Sequence, residues 1–393
     1  MQTAPTPPPR QAAAPPPAKK LEPPAPVPVK PPEALIPATV KVALLLPLSG
    51  PSGGLGHAIL DAAQMAMFDA ADDKFELLPR DTQGTAQGAA QAGKAVLAEG
   101  ARLILGPLLA AEVEAVKPLA QDAHVNIVAF STSAGLAGNG TWLLSFMPGE
   151  EVTRVVGFAR EHGASRFAAL APDTPYGQLA VEALRNATAS GGGTVEHVEF
   201  YDPATKDFRQ PVQYLAKQAA FDKPSGDKPG GNKQGFDAVL MPEGGEKLKA
   251  VASLLPYYEI DPAKVRFLGT GLWDEPGVER EPALTGGWFA APAPDARSDF
   301  EQHYRQLYNR APPRLATLGY DAVALAALLA HAPGGGNFST PALTDPNGFA
   351  GVGGIFRLKA EGLVERGLAV LEIHPNGPAV VSPAPETFLK PAS

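Results

Sequence analysis

The chain has 393 residues, a formal net charge of −8 and no cysteine. This excludes disulfides, thiolate catalysis and cysteine-based metal sites, and argues against nucleic acid as a partner, since such binders present a basic face. Hydrophobic residues make up 45% and charged residues 19% of the chain, ample for one two-lobed domain or two ordinary ones.

Residues 1–37 hold fourteen of the 43 prolines, in runs such as Pro7-Pro8-Pro9 and Pro15-Pro16-Pro17. Proline fixes φ and lacks the N–H that helices and sheets require. The segment 1–38 is therefore expected to be a disordered, extended tether, reaching on the order of 100 Å at ~3.1 Å per residue. It reads either as an inert leader or as a spacer that holds the globular part away from an anchor. Met1-Gln2-Thr3 lacks the charged and then apolar run of a signal peptide, and no stretch approaches the ~18 apolar residues of a membrane span. The chain is thus either cytosolic or a form from which an export signal has been removed.

From Thr39 strands and helices alternate. Strand Val42–Leu46 leads through Pro47-Leu48-Ser49-Gly50-Pro51 and the turn Ser52-Gly53-Gly54-Leu55-Gly56 into a helix near 57–71. A Ser/Gly loop between strand and helix leaves N–H groups free beside a helix N-terminus, which favours anions. Strands Phe75–Leu78, Leu103–Leu105 and Ile127–Ala129 follow, with helices near 85–99 and 110–123 between them. The alternation restarts at Phe167–Leu170, with a helix near 176–190 and strands near Thr194–Phe200, Ala238–Leu240 and Arg266–Leu268. Such β-α-β order predicts parallel sheets covered by helices, and two of them in succession predict two lobes with a ligand cleft between. Residues 223–235 read as an exposed mobile loop. A late helix spans 316–331, and Gly354–Leu358 and Leu368–Ile373 read as a hairpin turning at Ala360-Glu361-Gly362.

Catalytic signatures are missing. The seven histidines are scattered, with no His-x-x-x-His spacing, so no metal site is expected. There is no Gly-x-Ser-x-Gly elbow and no Gly-Lys-Ser/Thr phosphate loop. Gly54-Leu55-Gly56 imitates the start of a dinucleotide fingerprint, but Ile59 stands where the third glycine belongs. A cytosolic α/β enzyme is the distant alternative, and no cofactor is implied. The acidic pairs Asp72-Asp73 and Glu150-Glu151 read as solvated surface.

An ordered set of segments carries a family likeness. Val42–Pro51, Asp81-Thr82, Leu103–Pro107, Val125–Ser133, Asp173–Gly177 and Gly319–Ala322 together resemble type I periplasmic solute-binding proteins of the Leu/Ile/Val-binding branch. The resemblance implies an exported, non-catalytic protein with an α/β fold. Two parallel-sheet, Rossmann-like lobes joined by three crossovers would close on a small polar ligand by hinge motion. The expected division is 39–148 with 290–340 as lobe 1, 149–289 with 341–381 as lobe 2, and 382–393 as a tail. The candidate cleft residues are Ser49 and Ser52 in the first loop, Ser131, Thr132 and Ser133 after the fourth strand, and Tyr176, Thr270 and Trp273 in the second lobe. Capping the next helix is the bland alternative for Ser131, Thr132 and Ser133, with the cleft role preferred, and Tyr176 could equally be a lid on the lobe core. Trp273, in a Gly-rich loop, reads as exposed or cleft-facing.

The likeness to amino-acid receptors has gaps. The serine expected after Gly106-Pro107 falls at Ala110 or Ala111, and the aromatic of the first loop at Leu55. The acid that would hold a ligand ammonium falls at Gly271, with Asp274 or Glu275 as substitutes. Met241-Pro242-Glu243, Leu254–Tyr258, Phe267–Thr270, Trp273 and Gly362–Arg366 resemble lipoprotein activators of penicillin-binding proteins. That branch implies a tethered regulator of peptidoglycan synthesis, with a synthase as partner and an outer-membrane lipid anchor absent from this chain. The alternative is the substrate-binding component of an ABC importer for amino acids or similar polar solutes, with a permease as partner.

Overall fold

The computed structural model describes residues 39–221, 235–332 and 336–389; the segment 1–38 and nearly all of the loop 223–235 lie outside them. The first sheet is built from β1 (Val40–Leu46), β2 (Phe75–Asp81), β3 (Leu103–Leu105), β4 (Asn126–Ala129) and β5 (Thr141–Leu143). All are parallel, in the order β2-β1-β3-β4-β5. The alternation along β1 explains why both faces are covered. Val42, Leu44 and Leu46 enter one core, while Ala43 and Leu45 enter another on the opposite face, as period-2 geometry requires. The first core is closed by α1 (Gly53–Ala70) and the second by α2 (Ala86–Ala98) and α3 (Ala110–Asp122).

The second sheet follows the same plan. It holds β6 (Arg166–Pro172), β7 (Thr194–Tyr201), β8 (Ala238–Met241), β9 (Arg266–Gly269) and β10 (Trp288–Ala291) in parallel. Two antiparallel strands, β14 (Ala369–His374) and β15 (Gly377–Ser382), extend its β10 edge. Helices α4 (Pro148–Glu161) and α5 (Pro175–Ala189) cover one face, and α6 (Arg209–Phe221) and α7 (Gly245–Tyr257) the other.

After β10 the chain returns to the first lobe. In α8 (Pro294–Tyr308), Phe300 and Tyr304 pack on Ala58, Ala62 and Met65 of α1. Helix α9 (Ala316–Ala330) is apolar on nearly every side and is buried accordingly. It lies so close to α1 that a Cβ on Gly319 would stand 2.2 Å from the Ile59 carbonyl oxygen. Gly319→Ala is therefore expected to lower stability by ~1–3 kcal/mol through overpacking, although alanine is the better helix former. Urea unfolding would check this, and a gain in stability would mean that the two helices separate freely.

Two expectations for the C-terminal third fail. Residues 341–366 belong with the first lobe, not the second. Leu343 of α10 (Thr340–Leu343), Phe356 and Leu358 of β12 (Gly354–Leu358) and Val364 of β13 (Val364–Arg366) complete the first core. The Trp142 indole N–H donates to the Lys359 carbonyl (3.1 Å) and the Leu143 N–H to that of Gly362 (2.8 Å), docking this piece beside β5. The hairpin partner also differs. β12 pairs with β13 and with β11 (Phe349–Gly351), whereas β14 leaves for the second sheet. The turn at 359–363 brings back only three residues before the crossover at 367–368. The chain thus passes between lobes three times, at 144–147, 292–293 and 367–368.

Candidate functional site

The C-terminal ends of both sheets face a cleft of about 710 Å³, within the range of small-ligand sites. On the first-lobe side, register places Asp81, the last residue of β2, opposite Leu46 at the end of β1. Its carboxylate accepts the N–H groups of Leu48 (2.9 Å), Ser49 (3.3 Å) and Gln83 (2.7 Å) and the Ser49 hydroxyl (2.7 Å). What burial Asp81 has pulls its carboxyl up, but the Ser49 hydroxyl and these N–H groups outweigh it, and the net shift is downward. Ser49 is thereby committed to shaping the loop and does not line the cleft. Ser52, the cap residue of α1 with no side-chain cap bond, does line it, as does Leu55.

The α3 entry contributes Leu108, Leu109 and Ala110. The fully buried Glu112 accepts the Leu109 N–H (3.1 Å) and the Thr82 hydroxyl (2.5 Å), fixing this turn from behind. After β4 come Phe130 and the hydroxyl run Ser131, Thr132 and Ser133. Ser131 is buried and its Oγ accepts the Ser133 N–H at 3.2 Å, while Thr132 and Ser133 are exposed.

The second-lobe wall is the first two turns of α5: Pro175, Tyr176, Gln178, Leu179 and Glu182. Thr174 caps this helix by accepting the Gly177 N–H at 3.1 Å. The Tyr176 hydroxyl lies 3.2 Å from Glu151 Oε2 and 3.0 Å from Thr270 Oγ1. Burial, and then the Glu151 carboxylate, hold its pKa well above the phenol range, so it remains a donor.

Thr270 and Trp273 do not line the cleft. Thr270 is fully buried, and its hydroxyl accepts the Leu272 N–H (3.4 Å) behind Tyr176. Trp273 is the clearer correction. It is completely buried among Phe267 and Phe289, and its indole N–H donates to the Met241 carbonyl at 3.1 Å. Its slot exists because Gly269 and Gly287 carry no side chain; a Cβ on Gly269 would stand 2.1 Å from the indole. The glycines that read as a flexible loop are packing positions.

Glu151, read as solvated surface, is 1% exposed and central. It sits in the first turn of α4, where the helix dipole favours a carboxylate. It accepts the Gly271 N–H (3.0 Å) and pairs with the guanidinium of Arg314, which also lies 4.1 Å over the Phe146 ring. A Cβ on Gly271 would collide with both members of this pair. The place where an ammonium-binding acid was expected is therefore filled by a carboxylate already neutralised by arginine. Asp274 pairs with Arg297 of α8 at 2.5 Å, so it too is engaged. Both ion pairs, and that of Lys359 with Glu150 (3.5 Å), tie the two lobes behind the cleft. Among the described residues no cluster of three or more His, Asp or Glu could hold a metal ion.

Two parallel-sheet lobes, three crossovers and a cleft between strand ends define a two-lobed solute-binding protein of the periplasmic type. The chain matches the periplasmic binding protein family model over residues 39–377 and belongs to that family. Its fold resembles the isoleucine complex of the branched-chain amino acid transporter substrate-binding protein LivJ of Streptococcus pneumoniae. That likeness covers 88% of this chain and all of the other, with TM-score 0.62 and 18% identity. It also resembles an ABC transporter solute-binding protein of Rhodopseudomonas palustris in complex with 3,4-dihydroxybenzoic acid, covering 88% and 98% of the two chains with TM-score 0.63 and 16% identity. At these identities the likeness is one of fold. The uncharacterized protein RP748 of Rickettsia prowazekii is 22% identical over 180 residues, 46% of this chain, and the match spans about half of that protein's length. Members of the family bind solutes, and membership points to an extracytoplasmic location. No helix among the described residues is long and apolar enough to cross a membrane.

Proposed function

We propose that this protein is the solute receptor of an ABC importer and that its solute is a small carboxylate. The observation that carries this reading is the composition of the cleft. Ser52, Ser131, Thr132 and Ser133 offer hydroxyl donors, Tyr176 gives its ring to the wall while its hydroxyl is held by Glu151, and α1, α3 and α5 begin at the rim. Hydroxyls and helix N-termini stabilise an anion. The remaining wall, from Leu55 through Phe130 to Leu315, is apolar. The likeness to transport receptors supports the same reading, and the two solutes named above, isoleucine and a hydroxylated benzoate, share a carboxylate.

An amino acid fits less well. Among the described residues Glu182, on an exposed turn of α5, is the one carboxylate on the cleft wall, and Glu151 is occupied by Arg314. A desolvated ammonium without a fixed partner costs several kcal/mol. Thermal unfolding of the full chain against amino acids, benzoates, aliphatic acids and muropeptides tests the reading. A bound acid at about 100 times its dissociation constant should stabilise the fold by about 2.7 kcal/mol. Stabilisation by free amino acids alone would overturn the preference for plain acids. No stabilisation by any small molecule would overturn the receptor reading and leave the docking role, in which the exposed Tyr257 after Leu254-Leu255-Pro256 would serve as an interface anchor.

A further inference from the structure

The cleft does not end at the hydroxyl run. A second chamber of about 260 Å³ adjoins it, and Ala134, Leu179 and Glu182 line both. Its floor is the first crossover and the opening turn of α4, with Met147, Pro148 and Gly149. Ala183 of α5 and Leu363 and Val364 of the docked hairpin close the sides. The chamber is thus mostly apolar. Its polar groups are Glu150, Glu182 and Asn186, and Glu150 is 3.5 Å from Lys359. Among the described residues no basic side chain lines either chamber.

We infer that the solute is an elongated monocarboxylate, with its head on the Ser131–Ser133 side of the main cleft and its apolar tail in this second chamber. The inference rests on the receptor reading and adds the shape and polarity of the solute. Glu150 in the second chamber and Glu182 where the two chambers meet disfavour a second negative charge on the tail. The space beyond a short side chain favours a longer tail, and each methylene that enters should tighten binding about fourfold (~0.8 kcal/mol).

Two glycines allow a test. A Cβ on Gly135 in the main cleft or on Gly149 in the second chamber would meet no atom within 4 Å, so larger side chains enter open space. Calorimetric titration of the full chain with butanoate, octanoate and suberate is the experiment. The expected result is octanoate binding on the order of a hundredfold tighter than butanoate, with suberate much weaker than octanoate. Gly149→Phe should bring the octanoate-to-butanoate ratio near unity, whereas Gly135→Phe should weaken both acids together. An unchanged ratio in Gly149→Phe overturns the two-chamber proposal. So does a wild-type protein that binds butanoate and octanoate equally, a result needing no variant to fold, and the receptor reading then stands. If none of the three acids binds, this proposal falls, and the receptor reading is decided by the wider panel of amino acids and benzoates.

Discussion

Truncating Glu151 to alanine is expected to destabilise the folded protein by ~3 kcal/mol or more and to loosen the two lobes from each other. The carboxylate is buried and has three partners: Gly271 N–H at 3.0 Å, the Tyr176 hydroxyl at 3.2 Å and the Arg314 guanidinium. Its removal strands a guanidinium whose Nε has no partner to begin with. Arg314 keeps 17% side-chain exposure and its stacking on Phe146, so water recovers part of the loss and the lower end of the usual 3–5 kcal/mol applies. Glu151→Gln keeps an acceptor for Gly271 and Tyr176 but loses the charge, and should fall between wild type and Glu151→Ala. Urea unfolding of the two variants measures the difference. Small-angle scattering should show a larger radius of gyration for Glu151→Ala. A loss below ~1 kcal/mol would class the pair with ordinary surface ion pairs.

This hub also marks where the sequence stops being informative. The β1 run Val42–Leu46 is legible because every residue is apolar and both faces need covering, and α9 is legible for the same reason. Ser131, Thr132 and Ser133 reach the cleft because a loop at the C-terminal end of a parallel strand has nowhere else to go. Glu150 and Glu151 are indistinguishable locally, yet one is fully buried and the other only partly. The difference is set by Arg314, 163 residues away, and no local pattern encodes that. Ser49 fails as a cleft residue for a similar reason, since register with β2 delivers Asp81 to it. Trp273 misleads because glycines that usually signal a loop here clear space for an indole. In the C-terminal third, strands of similar apolar pattern follow one another, and which sheet each joins depends on which edge is free. β10 offers an edge to β14, while the β5 side of the first lobe takes the β12–β13 hairpin.

The second large effect is expected at Asp321 and Arg366, a fully buried pair beside the last crossover. Asp321 of α9 accepts the Val352 N–H (2.8 Å) and the Arg366 guanidinium (3.3 Å). Arg366 also donates to the Ser145 carbonyl at 3.2 Å and lies 4.5 Å over Phe146. Burial pushes the Asp321 carboxyl up and is opposed by Arg366; burial likewise pulls the guanidinium down and is opposed by Asp321. The pair is imperfectly satisfied, because Arg366 Nη2 has no hydrogen-bond partner. Removing one member, as in Asp321→Leu or Arg366→Met, should cost ~3–5 kcal/mol by leaving a buried charge alone. Replacing both removes the two desolvation penalties, a change that often gains ~1–4 kcal/mol. The same change orphans the Val352 N–H and the Ser145 carbonyl, at ~1–3 kcal/mol each. These terms nearly cancel, so the double variant should lie within ~2 kcal/mol of wild type and be clearly more stable than either single variant. A double-mutant cycle by urea unfolding measures the coupling. If the double variant is as unstable as the singles added together, the charges are not coupled. The backbone groups at Val352 and Ser145 would then be what these two side chains exist to satisfy.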